Sequence, residues 1–341
     1  MLANPIAFPK ARPPGYEPLG REPVFDPSRH LALEKPSKIM TLKDFGYEDD
    51  VIAACPSELA MTSPFRIMSA EGVGLLHEVA LALKPQRFTT NRTGANRLKF
   101  NIRGASYRSK FIRDFVTCPL VEEFLSALAA TPLISHSMPS VQAAINYAPD
   151  EVGKTIDSWH VDSVGFVFVM MVTDPKRFEG GEFQYFLGTK SEAAELVGTN
   201  TEWLTDGFGD QLPAEQVKTV AFPAAGYAFF MQGHMLFHRA TRLLKAAERI
   251  TFVPGYVTSD LRHPDPTNTK SMRLWSDPGM WTELARHKAW ISRSKLDGII
   301  ADLPFTSDRA AICRALRAAI ADVENLVHDL ETVPDESPAE Y

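Results

Sequence analysis

Nine consecutive residues, Val164-Gly-Phe-Val-Phe-Val-Met-Met-Val172, carry no polar side chain. The run is too short for a bilayer, which takes about 20 residues as helix, and its β-branched and aromatic content favours strand. Downstream, Phe178-Glu-Gly-Gly-Glu-Phe183 places paired glycines where the chain can reverse tightly into a strand over 182–187. A short helix is expected at 191–197, then a loop through about Pro213. Strand patterns return at 217–222, 227–231, 240–244 and 250–257. Short strands punctuated by glycine and proline predict an all-β sandwich or barrel.

The chemistry-bearing residues sit around that pattern. His160 and Asp162 are two apart, so in an extended strand both point to one side. With His238 they make two imidazoles and one carboxylate, the third ligand distant in sequence. Such a facial triad leaves one side of a ferrous ion open. His234, four residues before His238, competes for the third place; His238 leads directly into the strand expected at 240–244. Arg249 and Thr251 share the two-residue spacing and would also point one way together. A structural alternative pairs Arg249 with Glu248 or another acid.

The stretch from about Gln142 to Val257, roughly a third of the chain, resembles the iron(II)/2-oxoglutarate-dependent dioxygenases. The pieces that carry the resemblance are Gln142…Tyr147, His160-Val-Asp162, Phe178-Glu-Gly-Gly-Glu, His238-Arg-Ala-Thr and Arg249-Ile-Thr251. It implies a mainly β fold with flanking helices, the core a double-stranded β-helix (jelly-roll, cupin-like). It implies that His160, Asp162 and His238 bind iron, and that Arg249 pairs with the distal carboxylate of 2-oxoglutarate while Thr251 donates a hydroxyl. Tyr147 would contact the cosubstrate as well, or else serve only as core packing. Arginine suits a dicarboxylate because its planar fork meets a carboxylate twice, where lysine is a point charge. Iron, 2-oxoglutarate and dioxygen are the implied cofactor and cosubstrates, with succinate and carbon dioxide released. Relatives that halogenate carry glycine or alanine in place of the carboxylate, making room for a halide. With Asp162 present, hydroxylation is the expectation, and desaturation, ring closure and epoxidation stay open.

Composition bounds the alternatives. A net charge of −6 argues against general nucleic-acid binding, and 45% hydrophobic content suffices for a sizeable core. Cys55, Cys118 and Cys313 form no spaced pair, which suggests a reducing compartment without disulfides. With no membrane-spanning run and no signal-peptide pattern, a soluble cytoplasmic enzyme is expected. Against this acidic background, residues 91–113 hold Arg92, Arg97, Lys99, Arg103, Arg108, Lys110 and Arg113 with no acid. One reading is a basic rim for an anionic small-molecule substrate, with Arg97 and Arg103 as its contacts; an amino acid or amino-acid-derived carboxylate is favoured. The other is a solvated strand and loop whose charges pair elsewhere. Two further classes remain: a cupin-type metal-binding isomerase, opposed by Arg249 and Thr251, and a silent barrel used for protein contacts, opposed by the intact triad.

The flanks read as support within one structural domain. Residues 1–62 form a proline-rich extension, with eight prolines in the first 36 positions, so the segment should run extended. Residues 63–135 are a helical support region. Ser69 caps a helix to Leu83 with Val73, Leu76, Val79, Ala80 and Leu83 on one face, and a second helix is expected at 115–130. The catalytic core spans 136–262. In the C-terminal region, 263–341, His263–Thr269 is a connector, 280–293 a helix, and 307–330 a long amphipathic helix that packs on its own chain or forms a homodimer interface.

Overall fold

The computed structural model describes residues 5–87, 100–148, 152–153, 155–198, 211–272 and 279–332. Its strands are β1 (Ile39–Thr41), β2 (Leu59–Thr62), β3 (Phe65–Arg66), β4 (Phe100–Ile102), β5 (Leu133–Ser135), β6 (Ala144–Tyr147) and β7 (Thr155–His160), followed by β8 (Phe166–Met171), β9 (Phe183–Phe186), β10 (Val217–Val220), β11 (Tyr227–Met231), β12 (His238–Arg242), β13 (Ile250–Val253) and β14 (Gly255–Thr258). The major sheet runs β1-β2-β11-β8-β13-β6-β4, with β3 beside β11 and β14 between β8 and β5. The minor sheet runs β10-β9-β12-β7. Among the described residues every strand pairing is antiparallel. Two antiparallel sheets with flanking helices form the expected jelly-roll core.

The apolar run forms β8 near the centre of the major sheet, and both of its faces are covered. Phe166, Phe168 and Met170 pack outward with α1 (Ala70–Leu83), α2 (Lys110–Val116) and α3 (Pro119–Ala129). Val167 and Met171 face inward with Phe183, Tyr185 and Phe229. A strand buried on both sides cannot alternate with polar residues, because neither side chain set meets water.

Several local readings need correction. The helix expected at 115–130 is two: α2 ends at Val116, and Pro119 opens α3 as its first residue, where a missing N–H costs nothing. The strand expected at 240–244 begins at His238, because His238 pairs with both His160 and Tyr185. The strand expected at 250–257 breaks at Pro254, so β13 pairs with β6 while β14 pairs with β5. Other expectations hold: the Ser69 side chain accepts from Gly72 N–H at 3.0 Å, and a helix follows Thr189 over Lys190–Val197 (α5, after the short α4, Pro139–Gln142).

The flanks lie against the same chain. Tyr16, Phe25 and His30 are buried, Phe25 lies edge-on to Phe111, and Leu19 N–H donates to the Arg108 carbonyl. The long helices α6 (Met280–Asp302) and α7 (Arg309–Thr332) pack on each other. Asp322 of α7 bonds Lys288 and Lys295 of α6, and Leu326 enters the inner core. Among the described residues, no helix is long and apolar enough to cross a membrane.

Candidate metal centre

The minor sheet brings His160 and His238 opposite each other. β7 and β12 are neighbours in the minor sheet, and the two histidines are direct cross-strand partners with ring centroids 4.2 Å apart. Asp162, just beyond β7, completes the cluster: its Oδ1 is 3.4 Å from His160 Nε2 and its Oδ2 3.6 Å from His238 Nε2. One ligand atom from each of the three lies within 4.8 Å of the others, and among the described residues this is the group of that kind.

The protonation of both rings is set by the backbone. His160 Nδ1 meets the Ser158 carbonyl at 2.6 Å, and His238 Nδ1 meets the Leu236 carbonyl at 2.9 Å. A carbonyl only accepts, so each Nδ1 carries the proton and each Nε2 turns its lone pair toward Asp162. Burial lowers the His238 pKa to about 4, with His160 beside it pushing the same way. The ring is therefore neutral at neutral pH, as a metal ligand must be. These donors fit a divalent iron with open positions. His234 stands outside the cluster, its Nδ1 against the Gly165 carbonyl at 3.1 Å.

The triad opens into a cavity between the sheets, lined also by Arg249, Thr251, Asn146, Asp157, Arg103 and Arg239, with Val167, Val169, Phe183 and Met231 as apolar wall. Arg249 is 2% exposed. Its Nε donates to the Gly181 carbonyl at 2.9 Å, while Nη1 is buried without a hydrogen-bond partner. Burial lowers its pKa to about 10, partly opposed by Asp157 and Glu182. A buried guanidinium with an unused donor facing a cavity is suited to an anion that the cavity admits. The alternative pairing with Glu248 does not occur: that carboxylate meets His77 at 2.7 Å. The Gly-Gly pair explains how Arg249 is held. Gly180 and Gly181 have φ of 80° and 69°, and a Cβ on Gly181 would lie 2.8 Å from Arg249 Cδ and Nε.

Tyr147 does not belong to this cavity. Its hydroxyl donates to the Ala80 carbonyl at 2.7 Å, and its ring joins the outer core. The reason is strand alternation: Tyr147 pairs with outward Ile250, whereas its neighbour Asn146 pairs with inward Thr251. Asn146 lines the cavity, and its Oδ1 is buried without a hydrogen-bond partner. Of the basic stretch, Arg103 lines the cavity. Arg97, with Arg92 and Lys99, lies outside the described residues. Arg108 donates to the Gly15 carbonyl, Lys110 pairs with Asp114, and Arg113 lies over Phe8, so these three serve the fold.

Two features escaped the sequence. Asp157 reaches the cavity although it is an odd number of residues from His160. The β7–β12 register shifts between the pairs His238↔His160 and Ala240↔Asp157, and that bulge breaks the alternation. Glu283 of α6 holds the cavity wall, accepting from Ser140 N–H at 2.9 Å and Oγ at 2.6 Å and from Tyr107 Oη at 2.7 Å.

Comparison with known proteins adds the following. The structure is similar to the non-haem alpha-ketoglutarate-dependent carbocyclase SnoK from nogalamycin biosynthesis, with 18% identity over 65% of this chain and 87% of that one, TM-score 0.44. It is similar to EvdO2 from Micromonospora carbonacea var. aurantiaca, crystallised with 2-oxoglutarate, with 12% identity over 67% and 93%, TM-score 0.39. It is also similar to a prolyl-4-hydroxylase from Pseudomonas putida, with 10% identity over 61% and 95%, TM-score 0.38. These likenesses are distant, and no curated protein sequence matches. The family model Halogenase D (HalD), in contrast, matches residues 46–276, well over half of the chain and the whole span that carries triad and cavity. The chain belongs to the Halogenase D family.

Proposed function

We propose that this protein is an iron(II)- and 2-oxoglutarate-dependent oxygenase that hydroxylates a small amino acid or amino-acid-derived carboxylate. The observation that carries the reading is one cavity holding both the His160–Asp162–His238 cluster and the buried Arg249, whose Nη1 has no protein partner. When bound, iron with 2-oxoglutarate and dioxygen supplies the oxidation of a C–H bond coupled to release of succinate and carbon dioxide. The chain's own residues do the rest. His160 and His238 offer Nε2, with their tautomers fixed by the Ser158 and Leu236 carbonyls. Arg249, just before β13, and Thr251 on β13 both line the cavity and would receive the distal carboxylate of the cosubstrate. Val167, Val169, Phe183 and Met231 give the cavity an apolar wall, which strengthens each polar contact made inside it. Arg103 and Asp157 line the same space.

The family's name describes halogenation, and Asp162 is what separates this chain from that reaction. Asp162 would offer iron a carboxylate ligand where halogenating relatives carry glycine or alanine and leave room for a halide. Hydroxylation is therefore the outcome proposed here.

The test is succinate release with iron(II), 2-oxoglutarate, oxygen and a panel of amino acids and acyl-carboxylates, with products weighed by mass spectrometry under 18O2 and with added chloride. Substrate-stimulated succinate and a product carrying one atom of labelled oxygen support the proposal. A chlorinated product would assign halogenation instead. Metal binding without any response to 2-oxoglutarate would favour a cupin-type isomerase.

A further inference from the structure

Gly233 lies in the turn joining β11 to β12, where Met235 N–H donates to the Gln232 carbonyl at 3.0 Å. Its φ is outside the left-handed region, so backbone conformation does not call for glycine there. Space does. A Cβ at 233 would stand 2.0 Å from Asp162 Oδ2 and 2.8 Å from Asp162 Cβ and Cγ. Asp162 has no route of retreat through its backbone, because its N–H donates to the Gly233 carbonyl at 2.9 Å. On its other side its carboxylate faces the two imidazole Nε2 atoms at 3.4 and 3.6 Å.

We propose that Gly233 is a positioning residue for the metal's carboxylate ligand: its missing side chain is the space in which Asp162 turns toward His160 and His238. The inference rests on the metal-centre reading given above. Non-bonded atoms approach to roughly 3.5 Å, so a methyl group at 233 displaces Oδ2 by about 1.5 Å. Metal–ligand distances tolerate about 0.2 Å. A displacement of that size removes the carboxylate from coordination while leaving both imidazoles in place. The turn between β11 and β12 thus acts through the shape of the coordination site, with no atom of Gly233 touching metal or substrate.

The experiment is a cobalt(II) titration, followed by visible absorption and calorimetry, of the full chain and of Gly233→Ala, Asp162→Gly and the double variant. Gly233→Ala should weaken cobalt binding about 10- to 100-fold. In the Asp162→Gly background, where no carboxylate remains to be displaced, the same change should alter affinity less than about twofold. Wild-type affinity in Gly233→Ala overturns the proposal, and so does an equal loss in both backgrounds, which marks a general packing defect. Failure to fold in both backgrounds overturns it too, since the methyl group would then meet more than the carboxylate. Absence of cobalt binding in the wild type refutes the metal centre itself and takes this inference with it. Normal wild-type binding with an unaffected Gly233→Ala refutes only the inference.

Discussion

Replacing Arg249 with methionine should move stability and cosubstrate affinity in opposite directions. The guanidinium is 2% exposed, its Nη1 is unpartnered, and burial takes its pKa from 12.5 to about 10. A depression of that size corresponds to about 3 kcal/mol set against the charged form in the cosubstrate-free protein. Methionine preserves the aliphatic stem that lies against Gly181 and removes the charge. The free protein should therefore gain about 1–3 kcal/mol after loss of the Nε bond to the Gly181 carbonyl is counted. Binding of 2-oxoglutarate should suffer in turn. A two-pronged guanidinium–carboxylate contact is worth about 3–5 kcal/mol when one partner is removed from a buried pair, so affinity should fall about 100- to 1000-fold or more. Urea unfolding without ligand and anaerobic calorimetry with manganese(II) and 2-oxoglutarate measure the two effects separately. Lost stability together with unchanged cosubstrate affinity would show that Arg249 is a structural cation, and the anion site at its end would be refuted.

Tyr147→Phe should leave 2-oxoglutarate affinity within about twofold and cost about 1 kcal/mol in urea unfolding, the worth of its bond to the Ala80 carbonyl; a large loss of affinity would return Tyr147 to the site. Gly181→Ala places a side chain at φ 69° and 2.8 Å from Arg249, so 2-oxoglutarate should bind about tenfold or more weakly while cobalt(II) binding stays unchanged, both read by calorimetry. The metal-free protein should lose stability as pH falls. His238 titrates near 6.5 unfolded and about 4 folded, so the unfolded chain takes up the proton first. Its contribution is complete above about pH 6.5 and disappears progressively toward pH 4, a loss of about 3 kcal/mol. Denaturant midpoints across that range check it, and His238→Asn should flatten the dependence.

Much of the site was legible because strands have a period of two. That rule put His160 with Asp162 and Arg249 with Thr251, and the structure brings all four to one cavity although Asp162 lies just beyond β7 and Arg249 just before β13. The same rule, applied across strands, would have rejected Tyr147: once Thr251 is taken as inward, its partner Asn146 must be inward and Tyr147 outward. That pairing needed a register, which a single sequence does not supply. Asp157 was hidden by a bulge that no residue type announces. Glu283 was hidden by distance, since nothing in a helix well past the barrel signals that one of its carboxylates will hold Ser140. The basic run around β4 read as one patch, yet Arg108, Lys110 and Arg113 serve the N-terminal segment and α2 while Arg103 lines the cavity. Nothing in the sequence singles out Gly233, because the closeness of Asp162 to it arises only in the folded chain.

The central claim, one iron ion beside one oxoacid, is tested most directly by anaerobic absorption spectroscopy of the purified protein titrated with iron(II) and 2-oxoglutarate together. A weak visible charge-transfer band should grow to saturation at one equivalent of iron. It should require both components, vanish in His160→Ala, and fade in Arg249→Met. A wild-type protein that binds iron and yet shows no such band at saturating 2-oxoglutarate would contradict the claim.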